Sequence, residues 1–313
     1  MARTIRFTNG ADSFTQGFAI ENRQLTLLLG GGDDRVVLDR DDDFGGGNRV
    51  DMGAGADGLV NEAEAGNLIR LGGGADTYVG LGFGSFSTDS ADTVLGGAGD
   101  DLFAVSTFHS RYVGGAGADQ FFSVGWQNRF EGGKGVDSIS YAPRDDDFTQ
   151  GGSGVTVDLG AGRAQTGANR FETLVSIENA TGSGADDALF GSAAANLLAG
   201  GGGFDQLSGR GGADTFIWSE AREAPVVADA IDLVTDFTAA EGDRIDLRGI
   251  DADLLTAGDQ AFTFRGAEAF SGNAGELRFA GQILEGDLTG DGIADFRIGL
   301  LDVVTLSAAD ILL

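Results

Sequence analysis

The sequence contains no cysteine, so neither a disulfide framework nor a thiolate metal site can exist in it. It has two prolines and one histidine, His109. Three histidine ligands for a zinc centre are therefore not available, and there is no H-E-x-x-H motif. A nucleophile elbow with a usable histidine is missing, and the glycine runs end in Asp instead of Lys-Ser/Thr, which excludes a phosphate-binding loop. Basic residues are scarce: 20 Lys and Arg stand against 49 Asp and Glu, a formal charge of −29. Nucleic acid and anionic membrane surfaces are thereby excluded as expected partners, and cations are favoured. No apolar run reaches transmembrane length, and MARTIRFTNG lacks the apolar core of a secretory signal.

Glycine is what the sequence has in excess, 55 residues of 313 where about 7% is usual. With so little proline and no Gly-X-Y period, this is a short repeat with obligatory turns and not collagen. The repeat is nine residues long. Adding nine to Asp92 gives in turn Asp101, Ser110, Asp119, Asn128 and Asp137. Two residues beyond each lies an apolar or aromatic residue: Val94, Phe103, Tyr112, Phe121, Phe130 and Ile139. Six turn residues followed by a three-residue strand make a half-coil, and two half-coils close a coil of 18 residues.

Upstream the same register holds at Asp34, Asn48, Asp57, Asn67 and Asp76, stretched by inserts such as Arg40–Phe44 and Gly80–Phe86. Downstream, Gly182, Gly191, Gly200 and Gly209 open nonapeptides carrying Asp187, Asn196, Asp205 and Asp214. VTVDL (Val155–Leu159) and ETLVSIENATG (Glu172–Gly182) read as further strands. After Trp218 the period is lost, and short strands separated by turns follow.

These units fit G-G-x-G-x-D-x-U-x in full at 96–103, 114–121, 132–139 and 200–207, which resembles the nonapeptide of RTX (hemolysin-type) calcium-binding proteins. From about Val155 onward the chain is also similar to the C-terminal half of serralysin-type secreted proteases, through VTVDL, SIENATGS, GGADTFIW, DLTGDGIADF and the terminal DILL. The catalytic half of those proteases has no counterpart. The resemblance implies an all-β fold, a right-handed parallel β-roll with an antiparallel C-terminal β cap. It also implies Ca²⁺ in the turns and export through a type I secretion apparatus.

Physical chemistry points the same way. Coils of a parallel roll stack about 4.8 Å apart, so residues 18 apart lie over one another. Two carboxylates about 5 Å apart repel by roughly 3 kcal/mol at an effective dielectric of 20. A hard dication that accepts carboxylate and carbonyl oxygens removes that repulsion. The expected metal residues are Asp34, Asp57, Asp76, Asp101, Asp119 and Asp137 along one edge, with Asp187, Asn196, Asp205 and Asp214 in the later ladder. The opposite edge, ending at Asn48, Asn67, Asp92, Ser110 and Asn128, is expected to have lost calcium. It stacks Phe108 over Trp126, His109 over Gln127 and Arg111 over Arg129, a surface read either as local packing in place of metal or as a site for a sugar polymer or protein partner.

The expected organisation is a roll over 1–217, in sub-blocks of about 10–140, 141–181 and 182–217, and a cap over 218–313 carrying the export signal, with Asp310–Leu313 at its end. Asp287–Gly292 resembles the start of an EF-hand loop, but its twelfth position is Ile298, which favours a hairpin turn. Asp41–Asp43 and Asp145–Asp147 read as solvated loops. The expected function is that of a secreted extracellular protein folded by several calcium ions, self-assembling at a surface or in a matrix. A module binding an extracellular polysaccharide or another partner is the alternative, a carbohydrate-active enzyme on the roll surface is the third reading, and no catalytic motif is found.

Overall fold

A computed structural model describes residues 3–17, 24–39, 46–62, 65–81, 92–146, 152–227 and 230–313. Asp41–Asp43, Asp147 and most of the two upstream inserts lie outside these residues. The chain is all-β, about 4% helical, and winds as a parallel β-solenoid of about eight turns. It divides into two compact units, 1–147 with 162–177 and 148–161 with 178–313.

In the first unit one sheet stacks Thr4–Arg6, Thr26–Leu28, Arg49–Ala54, Leu68–Gly73, Thr93–Ala98, Arg111–Ala116, Arg129–Lys134 and Arg170–Val175, all parallel. Arg163–Gly167 then folds back antiparallel on the last of these. The second sheet stacks Ser13–Thr15, Arg35–Asp39, Gly58–Glu62, Thr77–Leu81, Leu102–Val105, Gln120–Ser123 and Ser138–Ser140. The nine-residue period explains the register: Phe103 pairs with Phe121 and Tyr112 with Phe130, each 18 residues on.

In most strands the second residue faces inward, joined in longer strands by the fourth, as Met52 follows Val50 and Leu71 follows Ile69, and these residues form the core. Val94, Phe103, Tyr112, Phe121, Phe130 and Ile139 are all buried. Their rings stack along the coil direction, Phe103 on Phe121 at 4.9 Å and Tyr112 on Phe130 at 5.4 Å. Each returns about 1.5–3 kcal/mol by burial.

In the second unit Thr156–Asp158, Ala188–Phe190, Gln206–Ser208, Asp232–Val234 and Phe296–Leu300 pair in parallel, so coils run on past Ile217. The other sheet runs Asn179–Thr181, Leu197–Ala199, Thr215–Ile217, Arg244–Asp246 and Ile311–Leu312. Antiparallel strands here are Glu276–Ala280, Ile283–Asp287 and Phe296–Leu300. The Asp287–Gly292 segment lies in the connection between the last two of these strands. Both Asp287 oxygens accept backbone N–H groups, from Gly290 at 2.7 Å and Gly292 at 2.8 Å, so the segment is a hairpin connection.

Candidate metal centre

Each position-six aspartate of the acidic edge uses its two oxygens differently. The Oδ1 atom accepts the backbone N–H of the aspartate one coil earlier: Asp34 N–H to Asp57, Asp57 to Asp76, Asp76 to Asp101, Asp101 to Asp119 and Asp119 to Asp137, all at 2.8–2.9 Å. The Oδ2 atoms of Asp34, Asp57, Asp76, Asp101 and Asp119 are buried and meet no donor. Asp205 in the second unit has the same pattern: its Oδ1 accepts from Asp187 and its Oδ2 has no partner.

The first glycine of each nonapeptide lies against this bare oxygen. A Cβ on Gly96 would collide with both the Asp101 carboxylate and the Gly114 carbonyl, so these two oxygens converge beside it. Gly114 and Asp119 repeat the contact, as do Gly200 and Asp205. Gly115 has φ +123, and a side chain there would strike the Gly97 carbonyl one coil earlier. The turns therefore need glycine for conformation and for clearance.

A buried carboxylate oxygen without a donor is costly, and its proton affinity shows it. Burial raises the Asp57 carboxyl to about 6 and that of Asp101 to about 7, with neighbouring aspartates adding to the effect. Asp205 is pushed to about 8 and Asp214 to about 6 for the same reason, and Asp76 and Asp119 are raised as well. Among the described residues no three carboxylates or histidines converge on one point. A cation here would take its oxygens from paired aspartates and main-chain carbonyls, a donor set that fits a hard ion such as Ca²⁺.

The ends of the columns differ from their interiors. Asp12, which precedes Asp34 in the ladder, has its Oδ2 filled by the N–H and hydroxyl of Thr8. The Oδ2 of Asp187 accepts the Ser183 N–H. Asp232, next after Asp205, receives the Trp218 indole N–H at 2.7 Å. Asp243, next after Asp214, receives the Thr238 N–H. Protein donors thus fill the Oδ2 atoms of Asp12, Asp187, Asp232 and Asp243. The sequence reading passed over Asp12, Asp232 and Asp243. Each is followed two positions later by Phe14, Val234 or Ile245, the same signal that marks the others.

The opposite edge keeps the ladder and changes the second atom. Leu25 N–H donates to Asn48 Oδ1, Asn48 to Asn67, Asn67 to Asp92 and Ser110 to Asn128. In place of a bare oxygen there are amide donors. Asn128 Nδ2 reaches the Thr107 carbonyl at 2.9 Å and Glu172 at 3.1 Å, while Asn61 Nδ2 reaches Asp92 at 2.8 Å. Glu172 also accepts from Ser123 and Tyr141. Burial raises it to about 7 despite these donors. Nothing in the nine-residue period marks Glu172. In the later ladder Asn196 likewise donates its amide, to the Glu178 carbonyl.

Phe108 and Trp126 stack at 5.5 Å and 6°. The Arg170 guanidinium lies 4.2 Å over the Trp126 ring from the next strand in the register, so both ring faces are covered. His109 and Gln127 both take φ +58 beside them. Arg111 and Arg129 share Glu131, at 2.7 and 2.6 Å.

Residues 166–313 match the family described as peptidase M10 serralysin C terminal. Over that stretch the chain is similar to a serralysin C-terminal domain. Domains of that family are RTX-type rolls that bind Ca²⁺; within the matched stretch of this chain lies the Asp205 oxygen that meets no donor. No curated protein matches the chain. The acidic edge from Asp34 to Asp137 precedes the matched stretch and repeats its chemistry. No helix among the described residues is long and apolar enough to cross a membrane.

Proposed function

We propose that the protein is a secreted RTX roll that folds on extracellular Ca²⁺ and acts as a structural element of a surface or matrix. The observation that carries this reading is the set of buried Oδ2 atoms of Asp34, Asp57, Asp76, Asp101, Asp119 and Asp205, which lack donors while those of Asp12 and Asp232 in the same ladders have them. Calcium between successive turns would neutralise these oxygens and return binding energy as folding energy. Extracellular modules of this kind bind at about 10⁻⁴–10⁻³ M, so the chain would stay loose before export and close outside.

Ile311 and Leu312 pair with Ile245 and Asp246, so the proposed export signal is also a folded strand. Removing 310–313 is expected to keep the protein out of the medium; undiminished export would refute the signal. Circular dichroism in EGTA and then in millimolar calcium tests the folding claim. The expected result is a disordered chain that gains β signal with calcium, and full structure in chelator at neutral pH would contradict it. Light scattering with and without calcium tests assembly, which the reading expects only with the ion.

A further inference from the structure

One face of the first unit reverses the charge of the chain. Arg49, Arg111, Arg129 and Arg163 occupy a single row across its larger sheet, through the pairings Arg49↔Leu68, Leu68↔Thr93, Thr93↔Arg111, Arg111↔Arg129, Arg129↔Thr173 and Thr173↔Arg163. Arg6 and Arg70 stand in the adjacent outward row, through Leu28 and Asp51. Six of the 20 basic residues therefore share a face whose strands add only Asp51 and Glu131 as outward acids. The outward face of the unit's other sheet carries Arg35 as its only cation among the described residues. Arg6, Arg49, Arg70 and Arg163 are exposed and form no ion pair among the described residues. The exposed Arg163 sets its guanidinium carbon 3.5 Å from the centre of the Phe171 ring.

We infer that this face docks a linear acidic polysaccharide carrying carboxylates along its length. The row runs perpendicular to the strands, so its positions recur at the strand spacing of about 4.8 Å. Guanidinium groups bind carboxylates in a two-pronged fashion, and Thr26, Thr93 and Thr173 in the same row offer hydroxyls to sugar hydroxyls. The face has no row of open aromatic rings on which bases could stack, so single-stranded nucleic acid fits it poorly. The acidic charge elsewhere is screened beyond a Debye length of about 8 Å at physiological salt.

Calorimetry on the full chain in calcium tests this. The titrants are short oligogalacturonates, neutral malto-oligosaccharides of equal length, and poly(dT). The uronate is expected to bind, more weakly as salt rises, and the two others are not. The triple variant Arg49→Gln, Arg70→Gln, Arg163→Gln is expected to bind at least tenfold more weakly while its calcium-induced circular dichroism is unchanged. Arg35→Gln on the other face is expected to bind like the parent. Absence of uronate binding, equal binding of poly(dT) or the neutral sugar, or a triple variant that binds undiminished would each overturn the assignment.

Discussion

The two edges of the first unit are built on one ladder and differ in a single atom per coil. On both, a backbone N–H donates to a side-chain oxygen one coil further on. On the acidic edge the remaining atom is an oxygen without a donor; at Asn128 on the other edge it is an amide nitrogen that donates to Thr107 and Glu172. Under the proposed function the first arrangement takes a cation from outside, whereas the second is satisfied by the protein. A solenoid can therefore shift its metal dependence from edge to edge by exchanging Asp for Asn, provided a buried acceptor such as Glu172 comes with the exchange.

The largest expected effect is that of chelation. As EGTA is titrated in at neutral pH, hydrogen exchange should accelerate first, before the chain unfolds as a whole, at the glycine turns ending in Asp57, Asp76, Asp101 and Asp119. Equal acceleration of the turns ending in Asn67 and Asn128 would erase the distinction.

Acid should partly replace calcium. The Asp101 and Asp205 carboxyls are raised in the fold to about 7 and about 8 from an ordinary 3.8. A raised carboxyl contributes stability that is fully present below its unfolded value and is lost as pH rises through the folded one. The metal-free chain should therefore be most stable below about pH 4 and lose that stability progressively between about pH 4 and 8. Thermal melts in EGTA across this range check it. Greater stability at pH 8 than at pH 5 would contradict it.

Exchanging single residues should move each edge toward the other. Asn128→Asp removes an amide donor and sets a second carboxylate beside buried Glu172, which should cost about 3 kcal/mol in a calcium-saturated denaturant melt. Asp119→Asn should lower the calorimetric calcium count by one or two ions with a smaller loss of stability. The smallest effect is expected from Trp126→Ala, about 1 kcal/mol, because its stack with Phe108 and Arg170 is local and half-exposed.

The acidic column was legible in the sequence because the motif survives uneven spacing. Asp34, Asp57, Asp76 and Asp101 fall into one ladder despite separations of 23, 19 and 25 residues. The roll, its inward aromatics and the stack of Phe108 on Trp126 followed from the same period. Glu172 was not legible. It reaches Asn128 from 44 residues away, on the strand Arg170–Val175 that pairs with Arg129–Lys134. The column ends were hidden for a similar reason: Trp218 fills the Asp232 oxygen from 14 residues off, outside any repeat. Periodicity thus identified the residues that recur, and only the folded coordinates showed which of them lack a donor.

Crystals grown in calcium and measured for anomalous scattering test the central claim most directly. The account expects peaks between successive turns from Asp34 to Asp137 and at Asp205, with none beside Asn48, Asn67 or Asn128. Peaks along the amide edge, or an intact acidic edge without any, would contradict it.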